Sequence, residues 1–395
     1  MSPRKTISWV LWPFTMWYAI GTVFRNLLFE LGVLKQSIPP VTTIGIGNLV
    51  AGGSGKTPMT DYLLGLFGDK YATAMVSRGY KRNSTGCVLY EGGALQSDDD
   101  RQATVANLGD ETAMLVSKHP DVSAAVCKRR MEAIDRLLAS EKPPQLVILD
   151  DVYQHRYVKP TINILLTEYG RLYSDDHILP FGDLRESRSE SHRANVIIVT
   201  KSPKKINLLE KHMIADRLKV QSYQKLFFSY INYGEPEPLF DAEPVTLHDV
   251  RHILCVTGIA NPSPLLDELK QRGVKVDHLP FPDHHNFTSK DTNLIMQRFE
   301  SIKSPDKIIL TTEKDAIRLR NVMKPTVPEK TTDTANGQPD ILERQQPANI
   351  PIPIYYLPMS IGFHDENGNN FPVYITGIVK ENISFLSRLS ASSQR

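Results

Sequence analysis

The chain has 395 residues, enough for two domains of ordinary size. Its 46 basic and 44 acidic residues leave a formal charge of +2, so no charge excess argues for nucleic acid as a main partner. Three cysteines, Cys87, Cys127 and Cys255, stand far apart in the sequence, a spacing that fits neither a disulfide framework nor a zinc site and reads as reduced thiols in core or loops.

The N-terminal segment is aromatic and almost uncharged. Trp9, Trp12 and Trp17 are the only tryptophans, and no charge falls between Lys5 and Arg25. Ile20, Val23, Phe24, Leu27, Leu31 and Leu34 then recur on one helical face, with Arg25, Asn26 and Glu30 on others. No convincing small-residue cleavage site marks a signal peptide. Pro13, Thr15, Gly21 and Thr22 make a poor membrane span, which needs ~20 strongly apolar residues. Trp and Tyr favour the headgroup level, and Arg4, Lys5, Arg25 and Lys35 add attraction to anionic lipid. A helix over residues 1–34 lying on a membrane surface is the preferred reading, ahead of a helix packed on the protein and of a true span.

Residues 41–57, Val-Thr-Thr-Ile-Gly-Ile-Gly-Asn-Leu-Val-Ala-Gly-Gly-Ser-Gly-Lys-Thr, organise the rest of the chain. The β-branched run Val41–Ile46 predicts a buried strand. Gly52, Gly53 and Gly55 free the backbone for a turn that aims N–H groups at a phosphate, Lys56 adds a point charge, and Thr57 is placed to hold Mg²⁺. Pro58 suits the first turn of a following helix, whose N-terminus faces the anion. The pattern G-x-x-x-x-G-K-[ST] would put Gly at position 50, where Val50 stands, so this is a Gly-Gly-x-Gly-Lys-Thr variant. Val50, Ala51, Gly52, Gly53, Ser54, Gly55, Lys56 and Thr57 are the candidate nucleotide cradle, against the plainer reading of a glycine-rich structural turn.

Apolar runs at Ala72–Ser77, Ser123–Cys127, Leu146–Leu149, Ile162–Leu166 and Asn195–Thr200 alternate with helical patterns such as Glu111–Lys118 and Arg130–Ser140. That alternation predicts an α/β fold with a mostly parallel sheet covered by helices on both faces. A basic connector and the β-rich Leu226–Tyr230 suggest a boundary near residue 222. A second strand–helix series occupies Ile253–Thr257, Pro264–Arg272, Lys275–Leu279, Thr288–Lys303 and Lys307–Leu310. The expected organisation is an N-terminal helix over 1–39, a phosphate-loop core over 40–222 and a smaller α/β domain over 223–395. Residues 324–350, rich in Pro, Thr, Gln, Asn and Asp, read as a solvated insertion, and the chain ends in a Ser-rich tail.

Several polar clusters fall just after predicted strands. Leu146-Val-Ile-Leu-Asp150-Asp151 ends an apolar strand in two carboxylates, where a phosphate-loop enzyme places a metal or catalytic Asp; capping the next turn is the alternative. Gly109-Asp110-Glu111 opens a helical pattern, so its acids either cap the helix or serve as base and metal ligand. Ser77-Arg78-Gly79-Tyr80-Lys81-Arg82, Lys128-Arg129-Arg130, Gln154-His155-Arg156 and Asp183-Leu184-Arg185-Glu186 suit an anionic ligand or are solvated loops. In Phe281-Pro282-Asp283-His284-His285 the adjacent histidines diverge and lack a third zinc ligand, so a His assisting a general base fits better. Thr311-Thr-Glu-Lys314-Asp315 comes after another buried strand.

The ordered set Gly47-Asn-Leu-Val-Ala-Gly-Gly-Ser-Gly-Lys-Thr-Pro58, Ser77-Arg-Gly-Tyr80, Gly109-Asp-Glu111, Asp150-Asp-Val-Tyr-Gln-His155, Leu184-Arg-Glu186, Thr257-Gly-Ile-Ala-Asn-Pro262, Phe281-Pro-Asp-His-His285 and Thr312-Glu-Lys-Asp315 resembles the tetraacyldisaccharide 4′-kinase family over nearly the whole chain. The family often has Gly where Val152 stands and Phe or Leu where Tyr153 stands. The resemblance implies two α/β/α domains and ATP- and Mg²⁺-dependent phosphorylation of the 4′-hydroxyl of a tetraacyldisaccharide 1-phosphate, giving lipid IVA. It implies peripheral attachment to the cytoplasmic face of a Gram-negative inner membrane, with no obligate protein partner evident. By position it makes Asp110 the base, paired with His284, and Lys56 the charge on the phosphates. Thr57, Glu111, Asp150 and Asp151 would serve the metal. Arg78, Tyr80, Arg129, Arg130, Gln154, His155 and Arg185 would hold the sugar and its 1-phosphate. The alternative is a membrane-associated ATPase or GTPase switch. Thr200-Lys201-Ser202-Pro203 lacks the Asp that guanine recognition usually needs, which argues against GTP.

Overall fold

In the computed structural model, β1 (Thr42–Asn48) is buried along its whole length, as a strand covered on both faces must be. The structure describes residues 4–79, 82, 84–93, 107–240, 242–283, 285–323, 353–365 and 370–393. Tyr80, His284 and the 324–350 insertion lie outside them. The chain divides into two compact units, residues 1–232 with 360–395, and residues 233–359.

The first unit opens with α1 (Arg4–Glu30). After β1 come α2 (Lys56–Phe67), β2 (Thr73–Ser77), β3 (Val88–Tyr90), α3 (Asp110–Lys118), β4 (Ser123–Val126), α4 (Arg130–Leu138), β5 (Leu146–Leu149), β6 (Ile162–Glu168), β7 (Val196–Thr200), α5 (Leu208–Leu218) and β8 (Lys225–Tyr233). With β14 (Met359–Phe363) these strands form one nine-stranded sheet in the order β14-β8-β7-β6-β1-β5-β2-β4-β3. Strands β8 through β4 run parallel, and β3 is an antiparallel edge.

Alternate residues of each strand feed opposite faces. Ile44, Ile46 and Met75 pack with Met59, Leu63 and Phe67 of α2 and Leu115 and Val116 of α3. Ala74, Val76 and Val147 pack on the other side with Ala133, Ile134 and Leu137 of α4. The doubly covered, mostly parallel sheet expected from the alternation is present.

Two expectations change. The sequence places residues from 223 in the second domain, yet β8 pairs in parallel with β7, Val196 opposite Lys225, and so extends the first sheet. The expected Ser-rich tail is a 23-residue helix, Phe371–Ser393, because Phe371, Ile375 and Val379 recur every four residues and bury against the first sheet. Two of the cysteines, distant in sequence, also come together. The short strand β3 has no signal of its own in the sequence, and its antiparallel register with β4 carries Cys87 to Cys127.

The second unit is a five-stranded sheet in the order β11-β10-β12-β13-β9. Its strands are β9 (Glu237–Pro238), β10 (His252–Thr257), β11 (Lys275–Pro280), β12 (Lys307–Thr312) and β13 (Ile354–Leu357), parallel except for β9.

Helix α1 is fastened to the first unit through its C-terminal half. Arg25 pairs with buried Glu186 at 2.7 Å, Arg156 donates to the Asn26 carbonyl at 3.3 Å, and Phe29 meets Tyr157 edge-on at 5.1 Å. Tyr18 donates to the Arg185 carbonyl at 3.0 Å. Trp12, Phe14, Trp17, Ile20, Val23 and Phe24 remain exposed, Trp17 at 76%. No helix among the described residues is long and apolar enough to cross a membrane.

Candidate active site

Parallel strands deliver their carboxyl ends to one edge, and β1, β5, β2 and β4 are consecutive neighbours there. The phosphate loop leaves β1, Asp150 and Asp151 leave β5, Arg78 leaves β2, and Cys127 to Arg130 leave β4. Four separate stretches of sequence are thereby lined up.

The loop itself is held by its surroundings. Gly52 (φ +115°) and Gly55 (φ +86°) adopt left-handed backbone that a side chain would strain, and Gly55 caps α2. The Ala51 N–H donates to the Asp183 carbonyl at 2.7 Å and Thr200 Oγ1 donates to the Ser54 carbonyl at 2.9 Å. Asn48, the last residue of β1, donates through its amide to the Val50 carbonyl and accepts from Lys56 Nζ at 3.1 Å. Ser54 Oγ is buried on the loop with no hydrogen-bond partner among the described residues, which suits an anion contact. The sequence assigns no bond to either: Asn48 appears only within the loop motif, and Thr200 only at the end of an apolar run and in a segment that bears on guanine recognition.

Lys56 also reaches Asp151 at 3.5 Å, and Arg185 lies 3.3 Å from the same carboxylate. Burial works against ionising Asp151, but Lys56 and Arg185 outweigh it and hold its carboxyl below the usual range. Asp150 goes the other way. Burial, then the charge of Asp151, pushes it up to about 6, with Lys56 and a 3.4 Å hydrogen bond from Thr60 only partly opposing. Glu111, in the first turn of α3 beside Asp110, adds to the rise, so three carboxylates share this corner. Thr57 stands in the first turn of α2. Hard oxygen donors in such a cluster fit Mg²⁺.

Gln154 donates to the Asn48 carbonyl at 2.8 Å and accepts from Arg185 at 3.4 Å, so it sits against the phosphate loop. His155 is driven down to about 4 by burial and by the charges of Arg130, Arg78 and Arg25, which keeps it neutral near pH 7. Arg130 is buried and donates to the Cys127 carbonyl at 3.0 Å. Arg78, Gly79, Arg82, Lys128 and Arg129 line a cavity of about 580 Å³. Lys56, Glu111, Asp150, Asp151, Gln154 and Arg185 are linked by these contacts and charges, and Arg78, Arg130 and His155 by theirs; Asp110 stands in the first turn of α3. Tyr80 and His284 are outside the described residues. In the second unit His285 pairs with Asp291, in the first turn of the helix Ser289–Ser301, at 3.0 Å and stacks on Phe281.

A glycine loop between a buried strand and a helix, with carboxylates on the neighbouring strand, fits a phosphate-loop nucleotide-binding enzyme. A family model described as tetraacyldisaccharide-1-P 4′-kinase matches residues 7–341. A tetraacyldisaccharide 4′-kinase of Bacteroides thetaiotaomicron is 39% identical over 99% of this chain and 97% of its own. One of Parabacteroides distasonis is 41% identical over 81% and 85%. The crystal structure of the "apo" form of LpxK from Aquifex aeolicus in complex with ATP matches with a TM-score of 0.67 and 26% identity, covering 94% of this chain and 99% of that one. The chain belongs to the tetraacyldisaccharide 4′-kinase family. It is accordingly a kinase of lipid A synthesis that uses ATP and Mg²⁺.

Proposed function

We propose that the chain moves the γ-phosphoryl group of ATP to the 4′-hydroxyl of a tetraacyldisaccharide 1-phosphate, giving lipid IVA. The observation that carries this reading is the single sheet edge on which the phosphate loop, the Asp150–Asp151 pair and the basic cavity lie side by side. An anion-binding cavity beside a nucleotide loop suits an acceptor that itself carries phosphate.

Lys56 and the loop amides stabilise the charge spreading over the transferred group. Thr57, Glu111, Asp150 and Asp151 would hold Mg²⁺. When bound, the metal neutralises charge on the phosphate oxygens. Asp110 is assigned as the base that takes the hydroxyl proton, with His284 as its helper. Arg78, Tyr80, Arg129, Arg130, Gln154, His155 and Arg185 are assigned to the sugar and its 1-phosphate. Residues 1–34 are assigned to the cytoplasmic surface of a Gram-negative inner membrane, where an acceptor with four acyl chains resides; the exposed aromatic face of α1 supports this.

The test is γ-labelled ATP with lipid acceptor. Label in the extracted lipid, at the 4′ position by mass spectrometry, supports the proposal. Label released only as inorganic phosphate, with no lipid product, overturns it in favour of an ATPase switch.

A further inference from the structure

We propose that Cys87, Cys127 and Glu132 form a binding site for one thiophilic divalent cation, with zinc as the natural occupant and water as fourth ligand. Val88 of β3 stands opposite Val126 of β4 in an antiparallel pair, so Cys87, one residue before β3, comes opposite Cys127, one residue after β4. Glu132, in the first turn of α4, brings a carboxylate to the same point. The three ligand atoms all lie within 4.8 Å of one another.

A zinc ion with sulfur at about 2.3 Å in tetrahedral geometry places its ligands about 3.7 Å apart. Closure therefore requires side-chain rotation of the order of 1 Å and no movement of the strands. Glu132 is paired with Arg136 at 2.9 Å, but both side chains are more than 40% exposed. Such a pair is worth roughly 0–1 kcal/mol and does not hold the carboxylate against a metal.

Charge is conserved on loading. Two S–H bonds break, two metal–sulfur bonds form, and both protons pass to water. Two neutral thiols and one carboxylate carry −1, and two thiolates, one carboxylate and a divalent ion also carry −1. Cys87, Cys127 and Glu132 line the same cavity as Arg78, Arg82, Lys128 and Arg129, and these cations meet no added positive charge. Paired thiolates select zinc over the hard Mg²⁺ used with ATP. A carboxylate converging on the two sulfurs completes a metal set, whereas a disulfide has no use for it. The ion would staple the segment before β3 to the start of α4, beside Arg129.

The experiment is Co²⁺ titration of chelator-stripped full-length protein without nucleotide, read by absorption. We expect tetrahedral d–d bands and a near-ultraviolet thiolate-to-cobalt band that saturates at one equivalent and is displaced by Zn²⁺. Cys87→Ser and Cys127→Ser each lose the band, and Cys255→Ser, in β10 of the other unit, retains it. Glu132→Gln weakens binding by about 10-fold or more. Cys87 is partly exposed and tolerates Ser, so if Cys127→Ser does not fold the Cys87 variant decides. Absence of the thiolate band, or its survival in Cys87→Ser, overturns the proposal. Loss of two free thiols under mild peroxide without any cobalt band likewise overturns it and identifies the pair as a redox dithiol.

Discussion

The Lys56 ammonium lies 3.5 Å from the Asp151 carboxylate, joining the phosphate loop of β1 to the end of neighbouring β5. Lys56 helps keep Asp151 ionised. In the proposed reaction the same ammonium also faces a phosphate of ATP. Lys56→Met should lower kcat/KM by about 10²–10³-fold, the cost of removing one positioned transition-state donor. It should also raise the Mg²⁺ concentration for half-maximal rate, because Asp151 then loses one of its two cations. Phosphoryl transfer assayed across a Mg²⁺ series separates the two effects.

Asp150 predicts a pH dependence of stability. Folding lifts it from 3.8 to about 6, so between those values the folded chain holds a proton that the unfolded chain has released. The stability this confers is fully present below the unfolded value and is lost as pH rises through about 6. In metal-free protein, Asp150→Asn should match wild type near pH 4 and exceed it at pH 7.5 by an amount on the order of 2–3 kcal/mol. Urea melts at a series of pH values measure it. Equal stability across the range would show that Asp150 is not destabilised by its surroundings.

How much can be read from sequence depends on how local each determinant is. The phosphate loop is legible because strand, glycine turn, Lys56 and Thr57 are contiguous. Asp150 and Asp151 are legible because an apolar run ending in carboxylates is a local pattern. The Cys87–Cys127 meeting is not, since it depends on a three-residue edge strand whose register only the folded sheet fixes. The boundary at residue 222 misleads because a β-rich run does not say which sheet it joins; β8 found β7. The final helix is hidden by serines at 384, 387, 390, 392 and 393, weak helix formers, although its early Phe371–Ile375–Val379 spacing is visible. The bond from Thr200 to Ser54, 146 residues away, has no signal in the sequence, where Thr200 only ends an apolar run and bears on guanine recognition.

Gly47 tests the close packing beneath the loop. A Cβ there would stand 2.5 Å from Tyr153 Cβ and 2.9 Å from the Tyr153 backbone nitrogen. Backbone cannot give way as a flexible side chain can, so Gly47→Ala should destabilise by roughly 1–3 kcal/mol. A lowered melting temperature with reduced nucleotide binding is expected, since β1 and the Asp151–Tyr153 turn would both be displaced.

Asp110 stands in the first turn of α3, beside Glu111, whose charge reaches Asp150. If Asp110 takes the proton of the acceptor hydroxyl, Asp110→Asn should cut kcat by ~10²–10⁴-fold and leave KM for ATP nearly unchanged. A His284→Ala variant combined with it should add little further loss, as expected of two groups serving one proton transfer. Fully multiplicative losses in the double mutant would separate their roles.

The outer face of α1 gives the last prediction. Trp12, Phe14, Trp17 and Phe24 are exposed, while Arg25, Asn26 and Phe29 of the same helix are tied to the body of the unit. A helix bonded to the body along one side, at Thr15 and Tyr18 as well as at Arg25 and Asn26, can bury its outer apolar face in lipid without unfolding anything. Burying an aromatic side chain is worth about 1.5–3 kcal/mol, so introducing Glu at both Trp17 and Phe24 should weaken binding to anionic vesicles by ~10²-fold or more. Neither residue touches the phosphate loop, so turnover on detergent-dispersed acceptor should stay within about twofold, near the ±0.5 kcal/mol expected of surface changes. Sedimentation with vesicles and the detergent assay, run on the same preparation, decide it: undiminished vesicle binding would assign this face to something other than lipid.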